Sequence, residues 1–188
     1  MYNIPAVIFA GGKSSRMGTD KALLPFGEYR TLSEFQHHRL TLLFEEVYLS
    51  AKTDKFDFNC QVIRDKGEES SPLVALISIL ETLDVEEIFI LSVDTPLVDK
   101  NVIETLLQKG KEYLRADAII AQGPRGLQPL CGIYRRSILP LAKKHLAAQN
   151  HRLTSLLEAS KLNLVPFKEH EPFTNLNTQE EYQALLSS

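Results

Sequence analysis

The 188-residue sequence contains no tryptophan and only two cysteines, Cys60 and Cys131. They form no C-x-x-C pair and have no histidine at a zinc-ligand spacing, so neither a disulfide scaffold nor a zinc site is expected. No run of about 18 apolar residues occurs, which argues against a membrane-spanning helix. The N-terminal residues also lack the charged start and the apolar stretch of a signal peptide. We therefore expect a cytoplasmic protein with reduced thiols.

A strong charge bias is also missing. The 21 Lys and Arg residues against 24 Asp and Glu residues leave a formal net charge of −3. Neither nucleic acid nor a membrane is therefore an expected partner. Repeats, linkers and low-complexity tracts are absent as well. With 44% hydrophobic residues, the chain is expected to form one globular domain over residues 1–188.

One basic cluster near the N-terminus stands out against this background. Residues 6–10 are apolar and predict a buried strand, and two glycines then open a polar loop. Three positive charges follow within nine positions, on Lys13, Arg16 and Lys21. Glycine lets backbone N–H groups approach an anion closely, and Lys and Arg together suit a polyphosphate. The pattern predicts a phosphate-binding loop, and the alternative is a solvated basic turn.

Two common phosphate loops are excluded by counting. In the P-loop pattern G-x-x-x-x-G-K-[ST], the first glycine would fall at Val7, inside the predicted strand. In the dinucleotide pattern G-x-G-x-x-G, the residue two positions after Gly11 is Lys13 rather than glycine. Neither an ordinary ATPase nor an NAD-dependent enzyme fits this sequence.

Apolar runs that alternate with helical patterns predict an α/β fold. Strand–helix–strand order implies parallel, right-handed crossovers, although the direction of the strand at residues 129–134 stays open. The other predicted strands lie at residues 47–50, 61–63, 88–93, 118–121 and 162–166, and a loop is predicted at 122–126. The predicted helices lie at about residues 31–44, 71–83, 99–110, 137–150 and 151–157, and a last one begins at Thr178.

Polar residues are predicted to cap several of these helices, namely Thr31, Ser71, Asp99 and Ser137. The helix after Thr31 is expected to bury a stripe along one side. The members of this stripe are Leu32, Phe35, Arg39, Leu42 and Leu43.

Polar groups also lie at the carboxyl ends of four different predicted strands. These groups are the loop that begins at Gly11, then Ser50, Asp65 and Asp94. Ligands of open parallel sheets bind beyond the carboxyl ends of the strands, so these groups are expected to converge on one rim. Asp94 is the predicted Mg²⁺ ligand, because Mg²⁺ is held by one or two carboxylates together with phosphate oxygens. The alternative for Asp94 is a turn cap before Thr95.

The loop closely resembles the signature of the molybdenum cofactor guanylyltransferases, a family of nucleotidyltransferases. The matching residues read FAGGKSSRMG from Phe9 and DKALL from Asp20. This resemblance implies a three-layer, Rossmann-like α/β fold with a mostly parallel sheet flanked by helices, of the nucleotide-diphospho-sugar transferase type. It also implies transfer of GMP from GTP to the phosphate of molybdopterin or Mo-molybdopterin, with Mg²⁺ as the cofactor. Molybdoenzymes and other cofactor-biosynthesis proteins are the implied protein partners.

Residues are assigned to roles partly by this resemblance and partly by the suitability of guanidinium and amide groups for phosphates and a pterin. Lys21, Arg16 and Asp94 are predicted to act in catalysis, and Asp94 to bind the metal. Asn175 and Asn177 are predicted on the acceptor side, where Arg125, Gln128 and Arg152 are further candidates. The complete set predicted to bind nucleotide or cofactor is Phe9, Ala10, Gly11, Gly12, Lys13, Lys21, Ser50, Asp65, Asp94, Asn175 and Asn177.

Two departures from the family pattern leave base selectivity open. Ser50 stands where the family often has asparagine, and Ser71 stands where a glycine usually precedes Pro-Leu. Asp65 is the candidate acceptor for the adjacent N1–H and N2–H₂ donors of guanine. The alternative is that Asp65 is a solvated surface carboxylate with no role in base binding. The competing functions are a related transferase that uses CTP or another acceptor, and a non-catalytic module that binds GTP or the cofactor.

Overall fold

The computed structural model describes residues 1–11, 20–67 and 71–176. Its strands are β1 (Ala6–Phe9), β2 (Val47–Ala51), β3 (Gln61–Arg64), β4 (Glu87–Ser92), β5 (Ala118–Gly123), β6 (Gly126–Arg135) and β7 (Leu162–Pro166). Its α-helices are α1 (Leu32–Thr41), α2 (Pro72–Thr82), α3 (Lys100–Glu112), α4 (Leu139–Ala147) and α5 (Leu153–Glu158). Short 3₁₀ turns lie at Lys21–Leu23, Arg136–Ile138 and Glu171–Phe173. The helix predicted from Thr178 lies outside the described residues.

The seven strands form one sheet in the order β3-β2-β1-β4-β6-β5-β7. Strands β1 to β4 pair in parallel, β5 is parallel to β7, and β6 is antiparallel to both of its neighbours. The reversed direction of β6 is the one that the family resemblance implied. The loop prediction for residues 122–126 was too long, because only Pro124 and Arg125 separate β5 from β6. Gly126, with φ of 114°, permits this tight turn.

Helices cover both faces of the sheet, which confirms the three-layer α/β prediction. Ala6 and Ile8 face one side, where they share a core with buried residues of α1 and α3. Val7 and Phe9 face the other side and pack in a core with α2, α4 and α5. None of the helices in the described ranges has the length and apolarity needed to cross a membrane.

Three of the four predicted helix caps are confirmed. The side chains of Thr31, Ser71 and Asp99 each accept the backbone N–H three residues further on. Ser137 was wrongly predicted as a cap, because it lies within the 3₁₀ turn before α4. Its hydroxyl donates instead to Asp117 Oδ1 at 2.6 Å. Helix α4 begins at Leu139 without a side-chain cap.

The stripe predicted for α1 was wrong in part. Leu32 is buried as expected, but Leu42 is 67% exposed because it lies on the opposite side of the helix from the buried residues Gln36 and Leu40. The buried side of α1 instead includes the polar residues Ser33 and Gln36. These polar side chains hold the functional rim, as described below.

Gly132 allows β6 to lie close to β5. An added Cβ would be 2.2 Å from the carbonyl oxygen of Ile119 and 2.9 Å from Cα of Ile120. Because both atoms belong to the backbone of a paired strand, neither can move alone. We expect Gly132→Ala to lower the free energy of unfolding by at least about 1–3 kcal/mol, the usual range for overpacking. The shift of the urea unfolding midpoint measures this loss.

Gly110→Ala in α3 is the matched control. Its Cβ would meet only Cδ1 of Ile133, at 2.6 Å, which is the end of a side chain. Alanine also favours the helix by about 1 kcal/mol over glycine. We therefore expect a smaller loss for Gly110→Ala, and equal losses in the two variants would contradict the assigned role of Gly132.

Candidate functional site

The carboxyl ends of β1, β2 and β3 meet at one edge of the sheet, as the sequence predicted. Ser50, in β2, donates its hydroxyl to Oδ1 of Asp65, which follows β3, at 3.2 Å. Asp65 also donates its backbone N–H to the carbonyl of Ala51. Gly11 faces the same carboxylate, since a Cβ built there would lie 3.7 Å from Oδ2 of Asp65. Three of the predicted site residues are therefore neighbours.

These residues line a small hollow of about 60 Å³. Its wall consists of Phe9, Gly11, Ser50, Asp65, Ser71, Pro72, Ala75 and Leu130. Burial raises the pKa of Asp65 above its ordinary value of 3.8, whereas the hydrogen bond from Ser50 and the charge of Lys52 partly oppose that rise. The hollow thus offers a partly desolvated carboxylate with an apolar surround, a setting suited to a flat polar heterocycle.

Lys21 and Asp94 face each other beyond the carboxyl end of β4. The distance from Nζ of Lys21 to Oδ2 of Asp94 is 4.0 Å, and the Asp94 side chain keeps 25% of its surface exposed. The Ser92 hydroxyl donates to Oδ1 of Asp94 at 2.6 Å. The carboxylate is therefore oriented by one hydrogen bond while its other oxygen faces the cation.

A larger cleft of about 430 Å³ extends from Asp94. The backbone N–H of Leu176 donates to the Asp94 carbonyl at 2.9 Å, which brings the adjacent Asn175 into the wall of the cleft. The polar residues of this wall are Ser92, Asp94, Thr95, Gln128, His151, Arg152, Thr154 and Asn175. Two of the acceptor candidates, Gln128 and Arg152, therefore line the cleft together with Asn175. Arg125 instead lies exposed in the turn between β5 and β6.

Helix α1 holds both halves of the Lys21–Asp94 pair through buried polar side chains. Ser33 donates its hydroxyl to the carbonyl of Ala22, within the 3₁₀ turn that carries Lys21. Gln36 donates to the carbonyls of residues 92 and 93, directly before Asp94, at 3.3 and 3.2 Å. The sequence analysis missed both residues, although polar side chains among apolar helix positions were a signal that could have identified them.

Arg39 continues this network along the segment after Asp94. Its guanidinium donates to the carbonyls of Pro96, at 2.9 Å, and Val98. Burial lowers the pKa of Arg39 to about 10, so the side chain stays charged at neutral pH. The carbonyls of residues 92, 93, 96 and 98 are thus all bound by α1, which fixes the backbone on both sides of Asp94.

Ser71 joins the hollow to the cleft. Its hydroxyl caps α2 and lies 3.1 Å from Nδ1 of His151, across the boundary between the two spaces. Serine at this position therefore makes two hydrogen bonds that the glycine usual in the family could not make. Cys131 also lines the cleft, but burial raises its pKa to about 12, so it is a neutral thiol at physiological pH.

Asp94 is suited to a hard divalent cation whose other ligands come from a substrate. Within the described ranges, no group of three or more His, Cys, Asp or Glu residues could hold a metal ion. Mg²⁺ is commonly held by one or two carboxylates plus phosphate oxygens and water, and a single accessible carboxylate meets that requirement.

Several predicted site residues cannot be compared with the structure. Gly12, Lys13, Arg16 and Asn177 lie outside the described residues. Their assigned roles stay predictions.

Known proteins resemble this chain over nearly its full length. A molybdenum cofactor guanylyltransferase from Campylobacter jejuni subsp. jejuni serotype O:6 is 38% identical over 189 residues, covering 100% of this chain and 97% of the relative. A protein of the same name from Helicobacter pylori strain J99 is 34% identical and covers 96% of this chain and 87% of the relative.

The fold also matches a solved structure. The crystal structure of molybdopterin-guanine dinucleotide biosynthesis protein A from Archaeoglobus fulgidus superposes with a TM-score of 0.83 at 18% identity, covering 98% of this chain and 97% of that chain. This likeness supports the predicted fold type. The family model described as the MobA-like NTP transferase domain matches residues 6–164. The chain therefore belongs to the MobA-like NTP transferase family.

Proposed function

We propose that this protein transfers GMP from GTP to the terminal phosphate of molybdopterin and releases pyrophosphate. The observation that carries the proposal is the Lys21–Asp94 pair, with Nζ and Oδ2 4.0 Å apart, in which Asp94 lines a cleft that adjoins the hollow at Asp65. The cleft and the hollow share Pro72 and Leu130 in their walls. Two adjoining spaces with a charged pair at the edge of one suit a reaction that joins two substrates at a phosphate. The names of the Campylobacter and Helicobacter relatives support the same activity.

The hollow at Asp65 is the proposed site of guanine. Guanine presents adjacent N1–H and N2–H₂ donors, and one carboxylate can accept from both. A paired contact of this kind discriminates between bases by roughly 1–3 kcal/mol. Ser50 holds the Asp65 carboxylate through its hydroxyl and lines the same hollow. It therefore takes part in the base site despite its short side chain.

The triphosphate is proposed to bind next to the Lys21–Asp94 pair. Lys21 offers positive charge to phosphate oxygens, and Asp94 would hold Mg²⁺. When bound, the ion would neutralise charge on the triphosphate and on the leaving pyrophosphate. The positions of Lys21 and Asp94 are set before substrate arrives, because α1 holds the segments that carry them. Such fixed charges stabilise a transition state without reorganisation.

The larger cleft is the proposed site of molybdopterin. Gln128, Arg152 and Asn175 offer the amide and guanidinium groups that suit a pterin and its phosphate. In the reaction, an oxygen of that phosphate forms a bond to the α-phosphorus of GTP, and the bond from the α-phosphorus to the β-phosphate oxygen breaks. The attacking oxygen is already ionised at neutral pH, so no residue needs to remove a proton.

The decisive experiment supplies labelled GTP, MgCl₂ and molybdopterin, with and without molybdate. We expect release of pyrophosphate and transfer of labelled GMP to the pterin. CTP, ATP and UTP serve as competitors, and a preference for CTP would overturn the assignment of Asp65 to guanine. Binding of GTP without pyrophosphate release would instead favour a non-catalytic module.

Substitutions at the charged pair test its role in transfer. We expect Asp94→Ala to abolish transfer, and Lys21→Ala to lower the rate by about 10²–10³-fold, the scale of one lost electrostatic contact in a transition state. Initial rates of pyrophosphate release at saturating GTP measure both effects. Lys100→Ala is a control, since Lys100 is paired with Glu104 on α3. An unchanged rate in either site variant would remove that residue from the mechanism.

The raised pKa of Asp65 predicts a pH dependence of GTP binding. Burial favours the neutral carboxyl, so in the folded protein Asp65 takes up a proton at a higher pH than an ordinary aspartate does. The neutral form loses one acceptor for guanine, so we expect affinity to fall as the pH decreases through this raised pKa. Protonation also removes the cost of burying the charged carboxylate. Lowering the pH should therefore not destabilise the folded protein by protonating Asp65.

Titration of GTP binding by calorimetry over the acidic range measures this dependence. Asp65→Asn is the matched control. The phosphates of GTP take up protons in the same pH range with either protein, whereas the variant has no carboxyl group at position 65. We expect weaker binding by this variant and a flatter pH profile. If the affinity for GTP changed with pH in the same way in the variant and in the unmodified protein, Asp65 would not be the residue that binds the base. The cytoplasmic location, the single-domain organisation and contacts with molybdoenzymes stay predictions.

A further inference from the structure

Ser71 brings a hydroxyl group to the wall of the hollow at Asp65. Three of the residues that line this hollow have polar side chains, namely Ser50, Asp65 and Ser71, and the others are apolar or glycine. Ser50 already donates its hydroxyl to Oδ1 of Asp65 at 3.2 Å, and an ionised carboxylate can only accept. Among the described residues of this wall, Ser71 is therefore the side chain whose donor remains for an acceptor atom of a base.

The neighbours of Ser71 restrict how its hydroxyl group can bond. The oxygen accepts the backbone N–H of Val74 at 3.2 Å and lies 3.1 Å from Nδ1 of His151. A hydroxyl group has one hydrogen and two lone pairs. When Nδ1 of His151 carries a hydrogen and donates it, both lone pairs are occupied. Ser71 can then donate to a ligand in the hollow, but it cannot accept from one.

We propose that Ser71 is a specificity residue that donates its hydroxyl hydrogen to O6 of guanine, and that His151 is a positioning residue that keeps Ser71 a donor. Guanine presents O6 next to the N1–H and N2–H₂ groups assigned to Asp65, so one small hollow meets all three groups along one edge of the base. Adenine has an amino group in the position of O6, and a hydroxyl that can only donate rejects it. This role rests on the proposed function, since it assumes that the hollow binds the base.

The competing explanation is that Ser71 serves only as the N-cap of α2. Glycine is itself a favoured N-cap residue, so Ser71→Gly removes the hydroxyl at little cost to the helix. A cap stabilises the fold and does not distinguish nucleotides that differ only in the base. A contact with O6 does distinguish them, so the affinities of matched nucleotides separate the two explanations.

The test measures the Kd of three nucleotides with MgCl₂ for the unmodified protein and for Ser71→Gly. They are GTP, ITP, which keeps O6 but lacks the 2-amino group, and the triphosphate of 2-aminopurine riboside, which has hydrogen in place of O6. We expect Ser71→Gly to raise the Kd of GTP and of ITP about 2–10-fold, the scale of one hydrogen bond. The Kd of the 2-aminopurine nucleotide should stay unchanged, because that base has no oxygen for Ser71 to bind. Equal changes for all three nucleotides, or no change for any, would overturn the role of Ser71.

His151→Phe tests the second part of the proposal. Removing Nδ1 frees a lone pair of Ser71, so the hydroxyl can accept from the amino group of adenine. We expect the Kd of ATP, measured by competition, to fall about 2–10-fold relative to that of GTP. General damage to the hollow would instead raise both Kd values together. An unchanged or larger preference for GTP over ATP would overturn the role of His151.

Ser137→Gly is the matched control, because it also replaces a serine hydroxyl by hydrogen. Ser137 bonds to Asp117 and lines neither the hollow nor the cleft, so this variant should leave every Kd unchanged. If Ser71→Gly does not fold, Ser71→Ala provides the same comparison. Partial unfolding raises the Kd of every nucleotide by the same factor, so the ratio between GTP and the 2-aminopurine nucleotide still reports the contact with O6.

The outcomes separate this role from the proposed function. If the unmodified protein binds GTP and Ser71→Gly keeps the ratio between GTP and the 2-aminopurine nucleotide, the role of Ser71 is wrong and the proposed function stands. If the unmodified protein does not bind GTP, the proposed function fails, and the role of Ser71 fails with it.

Discussion

The 4.0 Å approach of Lys21 to Asp94 depends on hydrogen bonds made by helix α1. Ser33 binds the turn that carries Lys21, and Gln36 binds the end of β4 directly before Asp94. At 4.0 Å the two charged groups are too far apart for a hydrogen bond, so the ion pair does not fix its own geometry. The geometry of this pair therefore comes from buried amide and hydroxyl groups on one helix, which hold two separate segments at a fixed distance. A polar side chain within a core is costly unless it is bonded, and here the bonds place it at the site.

Most of the fold could be predicted because its signals are local. Apolar runs identified the strands, and Thr31, Ser71 and Asp99 identified the starts of α1, α2 and α3. The direction of β6 could not be predicted in this way, because the residues of a strand do not indicate whether its neighbours are parallel or antiparallel to it. Only the family resemblance supplied that direction. The extent of α1 was also misjudged, since the apolar Leu42 lies beyond the last helical turn and is exposed.

The candidate site was predictable where residues lie one or two positions beyond the end of a strand, as Gly11, Asp65 and Asp94 do. Ser50 was also identified, although it lies within β2. Gln36 was missed for a physical reason. It binds carbonyls 56 and 57 positions away, so no nearby pattern indicates its partners. It donates to backbone oxygens, and every residue has such an oxygen. Contacts of this kind emerge only when the sheet brings the segments together.

The reversed direction of β6 divides the rim into two parts of different origin. In the register between β4 and β6, Leu91 is opposite Cys131, so β6 begins at the same edge where β4 ends. One wall of the larger cleft is thus the first half of a hairpin strand, whereas Gly11, Ser50 and Asp65 of the hollow lie at the ends of parallel strands. Changes in length at Pro124 and Arg125 fall next to that wall of the cleft and lie outside β1, β2 and β3. Under the proposed function, the acceptor side can therefore vary in the turn between two strands while the strand ends that carry Ser50 and Asp65 keep their geometry.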